Sequence, residues 1–155
     1  EDRAGEARTL TYIAFVHEAL GEKQTALDYY HQALPLRRSA GDRRGEASTL
    51  SGMGAAYAAL GEKQKAFDCY DQALAIYRAL KDRPGEAAAL TGKGVLDSHS
   101  GENQKALEQL GQALALRRAV EDRRGEGRLS PGSGRFTPPW ARQRRPWTIM
   151  RGPCR

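Results

Sequence analysis

The 155-residue sequence lacks the features that would indicate a secreted, membrane or disulfide-bonded protein. Its two cysteines, Cys69 and Cys154, share no spacing motif and so predict no disulfide framework. No apolar run approaches the ~20 residues of a membrane-spanning helix. The chain shows no signal peptide and no initiator Met. We therefore expect a cytoplasmic protein that does not enter a membrane, and a chain that is a piece of something longer.

Acidic residues are also missing, but only from the last part of the chain. Residues 128–155 contain seven arginines, no acid, both tryptophans and five of the seven prolines. Residues 1–127 are balanced, with 18 Lys+Arg against 19 Asp+Glu. The net charge of +6 therefore belongs to the tail and not to the body of the protein. A basic tail with aromatic residues would suit single-stranded nucleic acid, through phosphate contacts and base stacking.

A second hypothesis for residues 128–155 is a repeat translated out of frame. Shifting the codons of the segment 147–150 by one base permits Leu-Asp-Tyr-Tyr, as in "LDYY" at 27–30, and forces the Asp. The same shift across the tail permits a full repeat of the correct length. We favour this hypothesis and predict a disordered basic tail over 128–155, with no specific nucleic-acid partner.

The body of the chain repeats at a fixed spacing of forty residues. "GEKQTALDYYHQALPL" at 21–36 returns as "GEKQKAFDCYDQALAI" at 61–76 and as "GENQKALEQLGQALAL" at 101–116. A fixed period of this length indicates an array of stacked structural units. The predicted units are residues 1–40, 41–80 and 81–120, with the start of a fourth at 121–127.

Each unit is predicted to contain two helices. In the second unit the apolar residues recur every three or four positions, which is typical of one face of a helix. Asp42 is a plausible N-cap for the first helix, and Gly61 is expected to end it. The first-helix stripe is Leu50, Met53, Gly54, Tyr57 and Leu60, and the second-helix stripe is Ala66, Phe67, Tyr70, Ala73, Leu74 and Tyr77.

This spacing resembles the tetratricopeptide repeat (TPR), with small residues at Gly54, Ala66 and Ala73, where two helices pack closely. The forty-residue period is similar to that of spindle-orientation adaptors, kinesin light chains and bacterial TPR arrays. The resemblance covers residues 1–127. It implies an all-α fold, a right-handed superhelix (solenoid) of antiparallel helix pairs, here three repeats plus the disordered tail.

The resemblance also implies a protein–protein interaction scaffold that is not an enzyme and uses no cofactor or metal. In such proteins the first helices of the repeats line a concave groove that binds a peptide or a partner helix. Carried over by position, the groove residues here are Arg8, Thr11, Tyr12, Phe15, Glu18, Ser48, Ser51, Gly52, Ala55, Ala58, Ala59, Ala88, Thr91, Gly92, Val95, Ser98 and His99. The middle is small and weakly apolar, which favours a peptide with small apolar side chains. Tyr12 and Phe15 are the expected anchors.

Two other functions are compatible with the repeats. One is a regulatory or sensor fragment of a larger signalling enzyme, an ATPase or a caspase-like protease, whose catalytic domain lies outside this chain. The flanking coding sequence would distinguish it. The other is a spacer without a ligand, which a pull-down that recovers nothing would favour.

Other candidate motifs have ordinary structural explanations. His17, His31 and His99 share no ligand spacing, so no metal site is predicted. The Asp-Arg-x-Gly-Glu motif recurs in every unit, which favours helix capping and pairing between repeats over catalysis. Glycines such as those of "GMGAAY" fall inside a predicted helix and follow no strand, so they do not indicate a dinucleotide loop. Cys69 is expected to be a packed thiol.

The third unit departs from the pattern. Lys93, Asp97 and Ser100 replace Met53, Tyr57 and Leu60, so its first helix is expected to be the weakest, with a Lys93–Asp97 ion pair as a minor compensation. Its second helix, about 102–120, has no predicted helix to cover its leucines. That apolar edge invites self-association or contact with the tryptophans of the tail.

Overall fold

The computed structural model describes the backbone of residues 2–128 and the side chains of residues 2–121, and this part of the chain is all helical. Consecutive helices pack against each other, and the first helices of neighbouring units also touch, from α1 to α3 and from α3 to α5. The result is a solenoid of antiparallel helix pairs, as predicted. The helices are α1 (Arg3–Ala19), α2 (Lys23–Ser39), α3 (Arg43–Ala59), α4 (Lys63–Ala79), α5 (Arg83–His99) and α6 (Asn103–Arg128).

The recurring Asp begins the first helix of every unit. Asp42 accepts a hydrogen bond from the Gly45 backbone N–H at 2.8 Å, which confirms the predicted N-cap. This hydrogen bond, together with the Arg37 guanidinium, holds the pKa of Asp42 below its ordinary value. Asp2 and Asp82 cap α1 and α5 in the same way. The rest of the motif pairs adjacent units, since Arg44 of unit two reaches Asp82 of unit three at 2.7 Å.

A left-handed residue ends each first helix. Gly61 has φ 79°, a conformation that costs glycine little. The Glu62 N–H then bonds to the Tyr57 carbonyl at 2.9 Å and closes the helix end. Gly21 and Gly101 have the same conformation, so the predicted terminators are confirmed.

The core between the units is built from tyrosines and small residues. The second-helix stripe of unit two is buried as predicted, with Phe67 half-buried. In the first helix, Met53 is 4% exposed, whereas Leu60 is 42% exposed. Leu60 was predicted to belong to the core stripe, and that prediction is wrong. It is the C-cap residue of α3, one turn beyond the buried part of the helix.

Helix α5 compensates for its polar substitutions differently from what the sequence suggested. Lys93 pairs with Asp71 of α4, not with Asp97, so the predicted Lys93–Asp97 pair is wrong. Asp97 is 3% exposed and accepts a hydrogen bond from the Gln109 amide of α6 at 2.7 Å. The packing of α4 and α6 on either side of α5 offers each charge a better placed partner than its neighbour one turn away. Leu96, 3% exposed, restores part of the apolar contact.

We still expect α5 to be the least stable of the first helices. A buried carboxylate with one amide partner stands where unit two has a tyrosine, and a lysine stands in place of Met53. Losing the burial of one such apolar side chain costs about 1.5–3 kcal/mol. Amide hydrogen exchange should therefore be roughly tenfold or more faster over 85–100 than over 43–60. Equal protection of the two helices would contradict this prediction.

Helix α6 is longer than the 102–120 expected from the repeat and continues to Arg128. The chain turns at Gly41 and Lys81 in the earlier units, both with positive φ. Such a conformation is unfavourable for a residue with a side chain, and Lys81 adopts it where α5 folds back on α4. Among the described residues no helix folds back on α6, and Glu121 stands in the place of Lys81. The predicted disorder and frameshift of the tail concern residues outside the described part, apart from Arg128.

Candidate functional site

One groove runs across the first helices of all three units. It has a volume of about 480 Å³ and opens to solvent between α1, α3 and α5. Small side chains form its centre, because glycine and alanine occupy the positions where the helices approach. The groove is lined by Thr11, Tyr12, Phe15, Glu18, Tyr30, Ser48, Ser51, Gly52, Ala55, Tyr70, Ala88 and Gly92.

Two buried tyrosines form the floor of the groove. Tyr30 and Tyr70 project from α2 and α4 between the first helices and are 2% and 5% exposed. A Cβ atom on Gly52 would lie 2.5 Å from the Tyr30 ring, and one on Gly92 would lie 2.6 Å from the Tyr70 ring. Glycine at these two positions therefore allows each ring to reach the groove.

Glu18 gives the groove a fixed negative charge. The Tyr30 hydroxyl donates a hydrogen bond to the Glu18 carboxylate at 3.0 Å. Burial, together with the charge of Glu18, raises the pKa of Tyr70 to about 12 and also raises the pKa of Tyr30. Among the described residues that line the groove, Glu18 is the one charged side chain. Because their pKa values are raised, Tyr30 and Tyr70 both keep their hydroxyl protons at neutral pH.

The mouth of the groove carries exposed aromatic side chains. Tyr12 is 66% and Phe15 is 64% exposed, although both lie beside the floor formed by Tyr30. Beyond them lies a second depression that contains Arg8, Arg37 and Arg44, together with Asp42, which pairs with Arg37. The two ends therefore differ in charge: the carboxylate of Glu18 lies on one side of the aromatic pair, and guanidinium groups lie on the other.

The structure brings together part of the predicted groove. Thr11, Tyr12, Phe15, Glu18, Ser48, Ser51 and Ala55, with Gly52, Ala88 and Gly92, all line it, and Arg8 lies in the adjoining basic depression. The remaining predicted residues do not line either depression: Ala58, Ala59, Thr91, Val95, Ser98 and His99. Thr91 instead accepts a hydrogen bond from Arg117 at 3.3 Å. Whether any of these residues binds a ligand stays a prediction.

Sequence reasoning missed the two tyrosines of the floor. The resemblance predicts that the first helices line the groove, whereas Tyr30 and Tyr70 lie on second helices, and Tyr70 was predicted only as part of the apolar stripe. A signal was present, since Tyr30 and Tyr70 each precede a glycine by 22 residues, at Gly52 and Gly92. A large ring and a missing side chain at matched positions of successive units indicate direct packing.

Other reactive groups do not form a second site in the part of the chain that the structure describes. Cys69 is buried, as predicted, and its burial raises the pKa of the thiol to about 11, so that it is a poor nucleophile at neutral pH. Within residues 2–121 no three His, Cys, Asp or Glu side chains come together as metal ligands would. No helix in the described range is both long and apolar enough to cross a membrane.

Comparison with known protein families identifies the repeat. The family model described as tetratricopeptide repeat matches residues 5–79 and again residues 45–119. The chain belongs to the tetratricopeptide repeat family. TPR arrays generally mediate protein–protein interactions and are typically scaffolds without catalytic activity. No curated protein matches the chain.

A solved structure supports the fold assignment. The crystal structure of BtubC (BKLC) from P. vanneervenii superposes with a TM-score of 0.70 at 20% sequence identity. The match covers 77% of this chain and 48% of that protein, so this TPR chain spans about half the length of the solved relative. At this level of identity the similarity concerns the arrangement of the helices.

Proposed function

We propose that this TPR chain binds an extended or helical segment of a partner protein in the groove between α1, α3 and α5. The exposure of Tyr12 and Phe15 beside a small-residue groove is the observation that carries the proposal. Large aromatic side chains are costly to leave in water, and they contribute most of the binding energy in many interfaces.

The lining indicates the chemistry of the segment. Gly52, Ala55 and Gly92 leave room for a backbone and for small apolar side chains. The exposed Ser48 side chain borders this space, and its hydroxyl group offers a hydrogen bond to a peptide backbone.

The charged side chains at the two ends of the groove also predict the orientation of the bound segment. A basic side chain of the ligand fits beside Glu18, which is held in place by Tyr30 and flanked by aromatic faces that also attract cations. An acidic side chain fits the opposite end, near Arg8. An acidic C-terminus is not the expected ligand, because Phe15, Ala55 and Val95 stand where clamp-type TPR proteins use asparagine.

Selection of peptides from a random displayed library on the purified chain tests the proposal. We expect enriched peptides to carry small apolar residues next to a basic residue. Replacing both Tyr12 and Phe15 by alanine should weaken their binding at least tenfold, because two buried aromatic contacts of about 1 kcal/mol or more each are lost. Ala55→Arg should block the groove without touching the aromatics.

Leu20→Ala is the matched control. Leu20 is the C-cap residue of α1 and is 68% exposed, but it does not line the groove. Its affinity should equal that of the unmodified chain, and circular dichroism should show unchanged helix content in all variants. Binding that survives the Tyr12/Phe15 change, or that is lost on altering residues outside the groove, would show that the groove is not the binding site.

A further inference from the structure

Among the described residues, α6 leaves uncovered a face whose counterparts in the earlier units are buried or half-buried. We call this the α6 face; it consists of Leu107, Leu110, Leu114 and Arg117. Leu107 is 67% exposed, whereas Leu27, at the same position of unit one, is 2% exposed under α3. Leu114 is 49% exposed, whereas Leu74 is 4% exposed under α5.

Helix α1 has an exposed face that is complementary to the α6 face. We call this the α1 face; it consists of Glu6, Thr9, Ile13 and Val16. Val16 is 56% exposed, whereas Ala56 and Leu96, at the same position of units two and three, are 0% and 3% exposed. Thr9 is exposed, whereas Thr49 is fully buried. In units two and three, the second helix of the preceding unit covers these positions.

We propose that α1 of a second copy of this chain packs on α6, as α3 packs on α2 and α5 packs on α4. The two faces are different surfaces of the chain, so the contact is head to tail and each added copy presents a new α6 face. The period of forty residues then continues from one molecule into the next. The assembly does not require a peptide in the groove, although Tyr12 borders both surfaces.

The shapes of the two faces support this occupant. The ring of Tyr70 lies between Gly54 of its own unit, whose Cβ position is 3.0 Å away, and Gly92 of the next unit. At the same position α6 has Leu110, which contacts Gly94 of its own unit but is too short to fill the space beyond. The residue of α1 that matches Gly92 is Tyr12. Leu110 on α6 is shorter than Tyr70, and Tyr12 on α1 is longer than Gly92. The two side chains at the proposed contact would therefore fill about the same volume as Tyr70 and Gly92 do within the chain.

The charges match as well. Arg37 Nη2 donates to Thr11 Oγ1 at 3.5 Å, and the other arm of the guanidinium pairs with Asp42 of the following unit. Arg117 Nη2 donates to Thr91 Oγ1 at 3.3 Å and is oriented in the same way. The residue of a second copy that corresponds to Asp42 is Asp2.

A second charge pair follows the same register. Arg38 bonds to Glu46 of the next unit at 2.8 Å, and Arg78 bonds to Glu86 at 2.8 Å. Arg118 on α6 is the next member of this series, and Glu6 on the α1 face is its acidic counterpart. A contact between two parallel α6 helices would instead bring Arg117 and Arg118 of two copies together, which like-charge repulsion disfavours.

A complementation experiment with two variants tests the proposal. Val16→Glu disables the α1 face and Leu114→Glu disables the α6 face, and both positions are solvent-exposed in the single chain. By sedimentation velocity, the unmodified chain should form species whose mass rises with concentration beyond the dimer. Each variant alone should remain at the monomer mass of 17.0 kDa. An equimolar mixture should form a single one-to-one complex, because the intact α1 face of one variant fits the intact α6 face of the other.

The alternatives give different results. Dimers of Val16→Glu alone, with no complex specific to the mixture, would indicate pairing through two α6 faces and would overturn the proposal. An unmodified chain that stays monomeric up to the millimolar range would also overturn it, as expected if another segment of the chain covers α6. Circular dichroism and thermal unfolding at low concentration establish that both variants are folded.

Discussion

Replacing Gly92 by alanine is expected to destabilise the protein by about 1–3 kcal/mol. The new Cβ atom would lie 2.6 Å from the Tyr70 ring, well inside the contact distance. The ring has little room to move, because the Gly54 backbone also approaches it, so that a Cβ atom there would lie 3.0 Å from the ring, and Tyr70 as a whole is 5% exposed. Urea unfolding followed by circular dichroism measures the effect.

The chain contains a matched control for this change. Gly111 also lies within a helix, but no atom lies within 4 Å of its Cβ position. Gly111→Ala should therefore stabilise the protein by about 0.5–1 kcal/mol, the usual advantage of alanine over glycine in a helix. Two chemically identical substitutions are thus expected to have opposite signs. Shifts of the same sign and size would show that Tyr70 does not pack on Gly92.

A second-site change isolates the contact. Leucine already occupies the position of Tyr70 in unit three, at Leu110. Tyr70→Leu removes the ring that meets Gly92, so Gly92→Ala should cost little in that background. We expect a coupling free energy of about 1–2 kcal/mol between the two sites in a double-mutant cycle. Additive effects of the two changes would contradict the packing.

Alkaline unfolding is the second large effect expected. Burial raises the pKa of the Cys69 thiol to about 11 and that of Tyr70 to about 12. Burial also raises the pKa of Tyr30 and Tyr77. In the unfolded chain these groups ionise near pH 8.5 for cysteine and 10 for tyrosine. The folded state therefore holds its protons more tightly than the unfolded state.

The sign of the pH dependence follows from these directions. Below about pH 8.5 both states are protonated and the stability does not change through these groups. As the pH rises further, the unfolded state loses protons first, so the free energy of unfolding falls. Cys69 and Tyr70 together remove about 4 kcal/mol by pH 11, which is comparable with the whole stability of a small domain. Unfolding is therefore expected between about pH 10 and 12.

Far-ultraviolet circular dichroism and tyrosinate absorbance measure this transition together. Ionisation of the buried tyrosines should coincide with the loss of helix. Tyr70→Phe keeps the ring and removes one of the ionising groups, so its midpoint should move to higher pH. Tyr12→Phe, which removes a hydroxyl from an exposed ring, is the matched control and should leave the midpoint in place. Helix loss well before tyrosinate appears would rule out this cause.

Much of the fold could be predicted from the sequence because each unit repeats its own local rules. Asp42 and Gly61 mark the ends of α3 through backbone conformation and nearby hydrogen bonds, which depend on a few neighbouring residues. The buried stripe from Ala66 to Tyr77 follows from the helical period. The aromatic pair Tyr12 and Phe15 of the candidate groove was predicted differently, from the resemblance to the TPR family, in which the first helices of the repeats line the groove.

The details of packing could not be predicted because they depend on distances between separate helices. Local spacing predicted a pair between Lys93 and Asp97, but Asp71 and Gln109 on the flanking helices hold them instead. Leu60 follows the helical period and yet is exposed, because it lies one turn beyond the buried part of α3. The length of α6 likewise depends on whether a following helix folds back.

The sequence by itself determined the TPR family, the six helices, their caps and the small-residue surface of the first helices, because short-range backbone preferences and periodicity decide these features. Only the tertiary structure decided that Tyr30 and Tyr70 reach through Gly52 and Gly92 to form the floor of the groove. It also decided how far each side chain of the α1 and α6 faces is exposed. Both results depend on how residues of separate helices meet in space, and side-chain volume and burial at such contacts are properties of the assembled solenoid.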